Sequence, residues 1–448
     1  MGYRWMLFLA LTVPGLLVEP LPSGAQEGKA RVAGYLEEET PAFAAAAMEI
    51  WDLAELGYLE TRSSEILAGM LEEAGFTIRR GVAGIPTAFV ASFGSGDPVL
   101  GILGEYDALP GINQDRVPYR QPVEGKEGAH ACGHNLFGTA SAAAALAAAR
   151  WLEESESSGT IRFYGTPAEE GGSGKVYMVR AGLFDDVDVV LTWHASDRND
   201  ASPGSNLSVK SAKFRFSGVS AHSAAAPDRG RSALDGVEAM NDMVNMLREH
   251  VPQESRIHYV ITEGGTAPNV IPDFAEAYYY VRHPDPEMTR EIFDRVVLAA
   301  RGAAMGTETT VDYEVMGGSY SRLPVESLQR VLHENLREVD GVFYDEEEQR
   351  AAELLKETLG EAPPLGSERE VQPFRWYQGY ASSDNGDVSW MTPMGSLVTA
   401  TWVPGTAAHP WQAVAAQKAG PGVKGAARQQ PQRWMDWRGS GISGRLKR

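Results

Sequence analysis

Apolar positions along the first half of the chain alternate between helical and strand periods, and this alternation predicts its fold. The segment "TPAFAAAAMEIWDLAELGYLETRSSEILAGMLEEAGF" has a helical period with a break near Gly57, which predicts two helices. Short apolar runs in "PTAFVASFG", "PVLGILG", "TIRFYG" and "VDVVLTWHAS" predict buried strands that end in turns. The alanine-rich stretch from Thr139 and the segment "KVYMVRAGLF" predict helices between the strands. Strands alternating with helices indicate an α/β fold with a largely parallel sheet.

The pattern changes near Ser208, where "KFRFSG" alternates as a strand does in a sheet with one solvated face. A helix is predicted from about Ser232 to His250, followed by the strands "RIHYVIT" and "FAEAYYYVR". A second helix from about Glu287 to Ala303 and the strand "TTVDYEVM" complete the segment. This β-α-β-β-α-β order predicts an inserted ferredoxin-like α+β domain.

After the insertion the α/β pattern returns, with a charged helical stretch "VESLQRVLHENLREVD" and then "SLVTATWVPGTAAHPW", which predicts a strand and a loop. The expected organisation is therefore a main domain over residues 30–207 and 323–417, interrupted by an inserted domain over residues 208–322. At 448 residues the chain is long enough for both domains to bury their own cores.

Both ends of the chain differ from this pattern. Arg4, the apolar run Trp5–Val18 and a small-residue end near Ala25 predict a secretory signal peptide over residues 1–25, and thus export to a periplasmic or extracellular space. The alternative is a membrane anchor. It is disfavoured because the apolar run is short for a bilayer and is broken by Pro14 and Gly15. Residues 418–448 hold eight Lys or Arg and one acid, which predicts a poorly ordered basic tail. A nucleic-acid or membrane arm is the less favoured alternative there.

The composition excludes some classes of binding partner. A formal net charge of −20 argues against nucleic acid, whose phosphates require Lys and Arg. A single cysteine, Cys132, cannot form a disulfide within the chain. Beyond the first 25 residues no segment is long and apolar enough to suggest a membrane span.

Side chains capable of binding metal follow several of the predicted apolar strands. They are Cys132 and His134 at C-x-H spacing, the adjacent Glu169 and Glu170, His194 and His409. Each one alone is more often a packed core thiol, a hydrogen-bonded core histidine or a solvated carboxylate. Because the carboxyl ends of parallel strands converge, the set together predicts one site for zinc or a similar metal.

A Cys132 nucleophile with a histidine base is a competing hypothesis, but it leaves the glutamate pair and His409 unexplained. A Ser–His–Asp triad is a further alternative, but the sequence does not contain the G-x-S-x-G motif that such a triad uses.

Seven ordered motifs, spread from about residue 35 to 417, resemble the amidohydrolase and aminoacylase branch of the two-domain metallopeptidases. They are "GEYDALPG", "HACGHNLFGTA", "GTPAEEGGSGK", "SAHSAAAPDRGRSALD", "GGTAPNVIPD", "SSDNGDVSW" and "GTAAHPWQ". Within that branch the resemblance is greatest to the group that hydrolyses aminobenzoyl-glutamate.

The resemblance implies a site for two divalent ions, Mn²⁺ or Zn²⁺. The implied metal ligands are Cys132, His134, Glu170, His194 and His409. Glu169 would be the general base for a water molecule, and Asp107 would support the ligands from behind. In the inserted domain, His222, Asn269 and Arg282 match residues that hold the substrate carboxylate and the oxyanion. The resemblance further implies a homodimer formed through the inserted domain.

The expected activity is hydrolysis of an amide bond to an amino acid with a free carboxylate, as in aminobenzoyl-glutamate or an N-acyl amino acid. A dipeptidase or general aminoacylase is the enzymatic alternative. The sequence departs from many relatives at Asn135, where they have Asp, and at Asn385, where they have an apolar residue. After Gln417 the basic tail replaces the helix that closes the domain in relatives, which suggests a frameshift and leaves a non-catalytic remnant as a third hypothesis.

Overall fold

The structure is a computed structural model that describes residues 23–339, 341 and 343–419. Most of the predicted signal peptide and of the predicted basic tail therefore lies outside the described residues. The three residues from Ser23 to Ala25 begin the first helix, and Lys418 and Ala419 end the last one. In the part of the chain that the structure describes, no helix combines the length and the apolarity that a membrane crossing requires.

The described residues form α-helices and strands in the alternation that the sequence predicts. The helices are α1 Ser23–Leu53, α2 Thr61–Glu73, α3 His134–Glu154, α4 Gly174–Arg180, α5 Ala233–Leu247, α6 Pro286–Gly306, α7 Glu326–Glu338, α8 Glu346–Lys356, α9 Asn385–Met391 and α10 Trp411–Ala419. The strands are β1 Thr77–Arg80, β2 Phe89–Ser95, β3 Val99–Gly104, β4 Leu109–Pro110, β5 Gly128–Ala129, β6 Gly159–Gly165, β7 Val189–Ser196, β8 Gly204–Ser205, β9 Ser208–Ser217, β10 Arg256–Glu263, β11 Phe274–His283, β12 Thr310–Ser319, β13 Tyr377–Gln378 and β14 Met394–Ala400.

A six-stranded sheet in the order β1-β2-β6-β3-β7-β14 forms the centre of the main domain. β6, β3, β7 and β14 run parallel, whereas β1 and β2 are antiparallel additions at one edge. The prediction of an α/β fold with a largely parallel sheet is thus confirmed. The parallel strands place their carboxyl ends, and the loops that follow, along the same edge of the sheet.

Helix α3 packs closely against this sheet, because eight of its seventeen buried residues are alanine. At Gly138 an added Cβ would lie 2.6 Å from the backbone oxygen of Glu105. Small residues therefore let the helix approach the carboxyl end of β3, where the acidic segment Glu105–Asp107 begins.

Residues 208–319 form a separate antiparallel sheet in the order β10-β11-β9-β12, with α5 and α6 packed on one face. Its elements follow one another in the predicted β-α-β-β-α-β order. Phe214, Val281 and Phe293 belong to a hydrophobic core of this unit, distinct from the core beneath the six-stranded sheet.

Helix α3 begins at His134, five residues before the predicted start at Thr139. Gly133 adopts a left-handed conformation with φ of 83°, and an added Cβ there would lie 2.4 Å from Cβ of Ala195. A glycine is therefore required for the sharp entry into the helix. As a result His134 lies at the helix N-terminus instead of on a loop, which corrects the expectation from the sequence.

Candidate active site

The predicted metal-binding side chains come from four separate segments of the main domain. Cys132 lies between β5 and α3, and His134 is the first residue of α3. Glu169 and Glu170 lie in the loop after β6, and His409 lies in the loop between β14 and α10. His194 is within β7 instead of beyond its end, because the pairing of β7 with β14 continues to Ser196. The predicted strand "VDVVLTWHAS" ends at the same residue as β7, so His194 does not follow its strand as the other metal-binding side chains were expected to do, although its side chain still reaches the same site.

These side chains converge in two overlapping groups that share the Cys132 thiol. One group contains Cys132, His134 and His194, and the other contains Cys132, Glu170 and His409. Within each group the potential ligand atoms lie within 4.8 Å of one another. Sγ of Cys132 is 3.5 Å from Nε2 of His194, and Oε1 of Glu170 is 3.5 Å from Nε2 of His409. All five predicted ligands therefore face one place.

Backbone geometry explains how His409 reaches this place from a distant loop. The backbone N–H of His409 donates a hydrogen bond to the carbonyl of Ala131 at 2.9 Å, which joins its loop to the Cys132 segment. His409 has a φ of 77°, a left-handed conformation that is uncommon for a residue other than glycine. Strain of this kind persists where the surrounding structure holds it, and it concentrates at functional sites.

The loop after β6 is shaped by glycines and by further left-handed residues. Ala168 and Ser173 both have a φ of 57°. An added Cβ on Gly174 would lie 2.1 Å from the carbonyl oxygen of Pro167, so the loop closes tightly on itself. The turn directs the adjacent side chains of Glu169 and Glu170 to different surroundings.

Asp107 holds His134 and the Glu170 backbone together. Nδ1–H of His134 donates to Oδ1 of Asp107 at 2.9 Å, and the backbone N–H of Glu170 donates to the other oxygen at 2.8 Å. This contact directs Nε2 of His134 toward the ligand group and toward Oε2 of Glu105. Burial lowers the pKa of His134, but the carboxylates of Asp107 and Glu105 outweigh that effect and hold the pKa well above its usual range.

A buried ionic network lies behind this group, and sequence reasoning missed its members. Nζ of Lys175 lies 2.7 Å from Oε1 of Glu105 and 2.8 Å from Oδ1 of Asp384. The other oxygen of Glu105 faces Nε2 of His134 at 3.0 Å. Burial alone would raise the pKa of Glu105, but Lys175 and His134 hold it well below its usual range. The sequence does contain a signal for Glu105, because Glu105, like Asp107, directly follows the apolar run of β3.

Glu60 is a second buried carboxyl that the sequence did not single out. Its Oε1 accepts a hydrogen bond from the backbone N–H of Ala168 at 2.8 Å, and its Oε2 accepts one from Oγ1 of Thr87 at 3.0 Å. Burial, together with the nearby Asp107, raises the pKa of Glu60 to about 7. Glu60 thus holds the strained residue that directly precedes Glu169.

Glu169 and Glu170 are adjacent in sequence but differ in the direction of their pKa shifts. Burial, followed by the charges of Glu105 and Asp384, raises the pKa of Glu169 well above its usual range. Burial would also raise the pKa of Glu170, but the contact with His409 and the charge of His134 lower it. Carboxyl groups whose pKa values move apart are suited to different roles in one reaction.

The residues fit divalent metal ions. Nε2 of His134 lies 3.0 Å from Oε2 of Glu105, and Oε1 of Glu170 lies 3.5 Å from Nε2 of His409. None of these three buried ligand atoms, Nε2 of His134, Oε2 of Glu105 and Oε1 of Glu170, forms a hydrogen bond of good geometry, an arrangement that is costly unless a further group satisfies them. Thiolate, imidazole and carboxylate together form a donor set suited to zinc or manganese. Burial raises the pKa of the Cys132 thiol well above its usual range, which disfavours a free thiolate nucleophile.

Two residues near the site have structural roles in the described chain. His130 is buried, its Nε2 contacts the carbonyl oxygen of Ile50 at 3.0 Å, and burial lowers its pKa to about 3. Nδ2 of Asn135 donates to the carbonyl of Ala47 at 3.2 Å, on the far side of the helix start. The side chain of Gln417 in α10 donates to the carbonyl of His130 and so ties the last helix to this segment.

The three predicted substrate-binding residues lie apart from the ligand group. His222 and Asn269 are exposed in neighbouring loops of the inserted unit, where the Ser223 N–H donates to the Asn269 carbonyl at 3.1 Å. Arg282 is half-buried in β11, and its Nη1 lies 3.3 Å from Oγ of Ser382 in the main domain. Within residues 23–339, 341 and 343–419, no hydrogen bond or ion pair joins these three side chains to the predicted metal ligands.

Comparison with known proteins agrees with this geometry. Residues 101–364 match the family described as Peptidase family M20/M25/M40. The chain is 41% identical over 408 residues to one of the subunits of the p-aminobenzoyl-glutamate hydrolase of Escherichia coli, covering 85% of each protein. It is 31% identical over 355 residues to the Xaa-Arg dipeptidase of Homo sapiens, covering 73% of this chain and 77% of that protein.

Solved structures share the fold at low sequence identity. An aminobenzoyl-glutamate utilization protein from Klebsiella pneumoniae matches with a TM-score of 0.64 and 18% identity, over 92% of this chain and 99% of that one. A dinuclear metal-binding peptidase of the M20 family from Bacillus subtilis matches with a TM-score of 0.58 and 19% identity, over 88% and 98% of the two chains. The chain belongs to peptidase family M20/M25/M40 and is a hydrolase that acts on amide bonds.

Proposed function

We propose that the protein is a metal-dependent amidohydrolase that releases an amino acid with a free carboxylate from an aryl or acyl amide. The observation that carries the proposal is the pair of ligand groups sharing Cys132, with Glu169 in the loop that supplies Glu170. Nε2 of His134 and Oε1 of Glu170, which form no hydrogen bond of good geometry, each belong to one of these two groups.

In this proposal Cys132, His134, Glu170, His194 and His409 hold two divalent ions, Mn²⁺ or Zn²⁺. When bound, such ions lower the pKa of a coordinated water and polarise the substrate carbonyl. Asp107 fixes the orientation of the His134 ring through Nδ1. Support by a carboxylate from behind is the usual arrangement for metal-binding histidines.

Glu169 is proposed as the general base. Burial and the charges of Glu105 and Asp384 raise its pKa, which makes the carboxylate a stronger proton acceptor, and the same carboxyl can later donate the proton to the leaving amine. The hydrogen bond from Ala168 to Glu60 holds the backbone that carries Glu169.

The inserted unit, residues 208–322, is proposed as a ferredoxin-like lid and dimerisation domain over a catalytic domain formed by residues 30–207 and 323–417. Nδ1 of His222 accepts hydrogen bonds from the N–H groups of Ala224 and Ala225, at 3.2 Å each. Its Nε2 therefore carries the proton, and the exposed ring can donate to a developing oxyanion. Arg282 and Asn269 would hold the substrate carboxylate once the lid closes, and in a homodimer His222 would serve the partner's site.

The substrate follows by analogy with relatives. The Escherichia coli relative is named for p-aminobenzoyl-glutamate, which combines an aryl amide with an amino-acid carboxylate. Dipeptidase activity is the second candidate, because the human relative is named an Xaa-Arg dipeptidase. Export to a periplasmic or extracellular space, as the first 25 residues predict, forms part of the proposal.

A substrate panel tests the proposal. The purified full chain, loaded with Mn²⁺ or Zn²⁺, is assayed with p-aminobenzoyl-glutamate, N-acyl amino acids and dipeptides, with amine release as the measured signal. The proposal predicts the highest kcat/KM for an aryl or acyl amide of an amino acid. Turnover confined to dipeptides would favour the second candidate, and no turnover of any amide would support the remnant hypothesis.

A further inference from the structure

A cavity of about 460 Å³ lies where the inserted unit joins the main domain. The chain enters the inserted unit at the start of β9 and leaves it at the end of β12, and residues 208–210 and 315–320 of these two connections line the cavity. Other walls are formed by α4 of the main domain and by the first two turns of α6. The volume is in the range of small-molecule sites. A ligand held here would contact both units and both connections between them.

The charged side chains that the inserted unit contributes to this cavity lie on the helix-covered face of its sheet. Lys210 of β9 is directly opposite Val281 of β11, which is buried against α5 and α6, so both side chains lie on the same face. Nζ of Lys210 accordingly lies 4.2 Å from the ring centroid of Phe293 in α6. Arg282 is opposite Val209 and lies on the other face. The cavity is therefore separate from the face of the sheet that the proposed function assigns to the substrate.

Cations outnumber carboxylates in the cavity lining. The charged residues are Arg180 of α4, Lys210 of β9, Arg290 of α6 and one carboxylate, Asp387. Arg290 already forms an ion pair with Glu287, whereas neither Arg180 nor Lys210 forms one within the part of the chain that the structure describes. Asp387 does not compensate Arg180, because burial outweighs the attraction of that cation and raises the pKa of Asp387 to about 6. One uncompensated cation from each unit therefore borders the cavity.

The neutral part of the lining combines hydroxyl groups with apolar side chains. Ser173 and Ser319 can donate hydrogen bonds, and Val176, Val179 and Met316 provide apolar surface. Small-molecule sites ordinarily have this composition, in which apolar walls bind the body of the ligand and a few polar groups orient it. With two uncompensated cations added, the lining suits an anion that has a small apolar part.

The cavity lies beside the two strand ends about which the inserted unit would turn when it closes over the active site. The pairing of β12 with β9 is irregular between Val315 and Gly317, and an irregularity of this kind bends a strand. The proposed closure moves the Arg282 face of the sheet toward the predicted metal ligands, so the helix-covered face moves away from α4. The gap between Arg180 and Lys210 therefore widens on closure, and a ligand that contacts both residues opposes this movement.

We propose that this cavity binds a small organic anion, which bridges Arg180 and Lys210 and slows turnover by holding the inserted unit away from the active site. The anionic group accepts charge-assisted hydrogen bonds from the guanidinium and the ammonium, and its apolar part lies against Val176 and Val179. Binding at this site is independent of the proposed function. The effect on turnover rests on the proposed function, because it acts through closure of the inserted unit.

A binding measurement tests the site itself. The probe is benzenesulfonate, which has an anionic group and an apolar ring but no amide bond, and it is titrated into the metal-loaded full chain by calorimetry at constant ionic strength. Lys210→Gln and Arg180→Gln are each expected to bind the probe about tenfold more weakly than wild type, because each loses one charge-assisted contact. The matched control is Arg301→Gln, an exposed arginine of α6, which keeps the wild-type affinity.

The two variants protect the test against misfolding, because they alter different units of the protein. Failure of the wild-type chain to bind the probe would overturn the site. Equal affinity in wild type, Lys210→Gln and Arg180→Gln would overturn it as well, because the probe would then be bound elsewhere.

A kinetic measurement tests the effect on closure. Saturating benzenesulfonate is expected to lower the kcat of wild type for p-aminobenzoyl-glutamate by at least about threefold, and excess substrate should not restore it. Lys210→Gln and Arg180→Gln should keep the wild-type kcat without the probe and respond little to it. Inhibition that excess substrate removes would show that the probe competes in the active site, and this would overturn the effect on closure.

The two measurements separate this proposal from the proposed function. If probe binding depends on Lys210 and Arg180 but kcat is unchanged by the probe, the site stands and the effect on closure is overturned. If no amide is hydrolysed, the proposed function fails together with the effect on turnover, whereas probe binding that depends on Lys210 and Arg180 still supports the site.

Discussion

The ammonium group of Lys175 lies 2.7 Å from Oε1 of Glu105, and both side chains are almost completely shielded from solvent. Asp384 contacts the same ammonium group, so one cation is placed between two carboxylates. Glu105 in turn presents its second oxygen to His134. The cluster therefore joins three segments of the main domain and keeps a buried negative charge beside the predicted metal ligands.

Replacement of Lys175 by methionine should destabilise the fold strongly, because it leaves Glu105 and Asp384 buried without their cation. The expected loss in the free energy of unfolding is about 3–5 kcal/mol, measured by urea denaturation. Combining Lys175→Met with Asp384→Asn should recover part of that loss, which keeps the test informative if the single variant fails to fold.

The control for this variant is Arg330→Met, which breaks the exposed ion pair with Glu326 on α7. Its expected cost is at most about 1 kcal/mol. An equal effect of the two substitutions would show that the buried network contributes no more than a surface pair.

Glu60 should affect turnover more than substrate binding, since it positions the backbone before Glu169. In Glu60→Ala the Ala168 N–H loses its acceptor, and kcat is expected to fall about tenfold or more with little change in KM. Glu60→Gln retains an acceptor oxygen and should recover part of kcat. A loss of stability in Glu60→Ala with wild-type kcat would mean that the contact is structural only.

Substitution of the two adjacent glutamates should separate chemistry from metal binding. Glu169→Gln is expected to lower kcat by a factor of about 10² to 10⁴ with metal content unchanged. Glu170→Gln is expected to lower the metal content as well, since Glu170 belongs to one of the two ligand groups. Steady-state kinetics and elemental analysis on the same preparations measure both effects, and turnover retained in Glu169→Gln would reject the assigned base.

Asp387 should make the stability of the protein depend on pH. Burial raises its pKa to about 6, although it accepts a hydrogen bond from the Tyr320 N–H at 2.9 Å. The folded state thus binds this proton more tightly than the unfolded state, and the associated stability is lost as the pH rises through the folded pKa. Asp387→Asn removes that loss.

The stability of Asp387→Asn relative to wild type should therefore increase by roughly 1–2 kcal/mol between about pH 5 and about pH 8. Urea denaturation of both proteins at the two pH values measures this difference. A pH-independent difference would show that Asp387 titrates as an ordinary surface carboxyl does.

Much of the site follows from the sequence for a physical reason. Apolar strand periods locate β3, β6, β7 and β14, and parallel strands bring the loops at their carboxyl ends together. Cys132, Glu170 and His409 are therefore expected to meet, and the structure brings them together.

Other features of the site depend on backbone geometry and packing, which the hydrophobic periodicity of the sequence does not encode. The start of α3 at His134 follows from the left-handed Gly133, which a helical pattern does not detect. Lys175 lies in a short helix, where a lysine is ordinarily solvated, and only the folded chain places it between Glu105 and Asp384.

The register between neighbouring strands also could not be predicted from the sequence. The pairing of Arg256 with Arg282 requires the register of β10 and β11 to be known to a single residue. A shift of one position would turn Arg256 toward the helices. The family resemblance implied a role for Arg282, but the sequence could not identify the residue opposite it.

Metal dependence is tested by the metal content of the purified full chain, measured together with its amide-hydrolysing activity before and after chelation. We expect about two Mn²⁺ or Zn²⁺ ions per chain, loss of p-aminobenzoyl-glutamate hydrolysis when they are removed, and recovery when either ion is returned. Full hydrolysis by a chain holding less than about 0.1 ion would contradict the proposed mechanism, because no step of metal-assisted hydrolysis could then proceed.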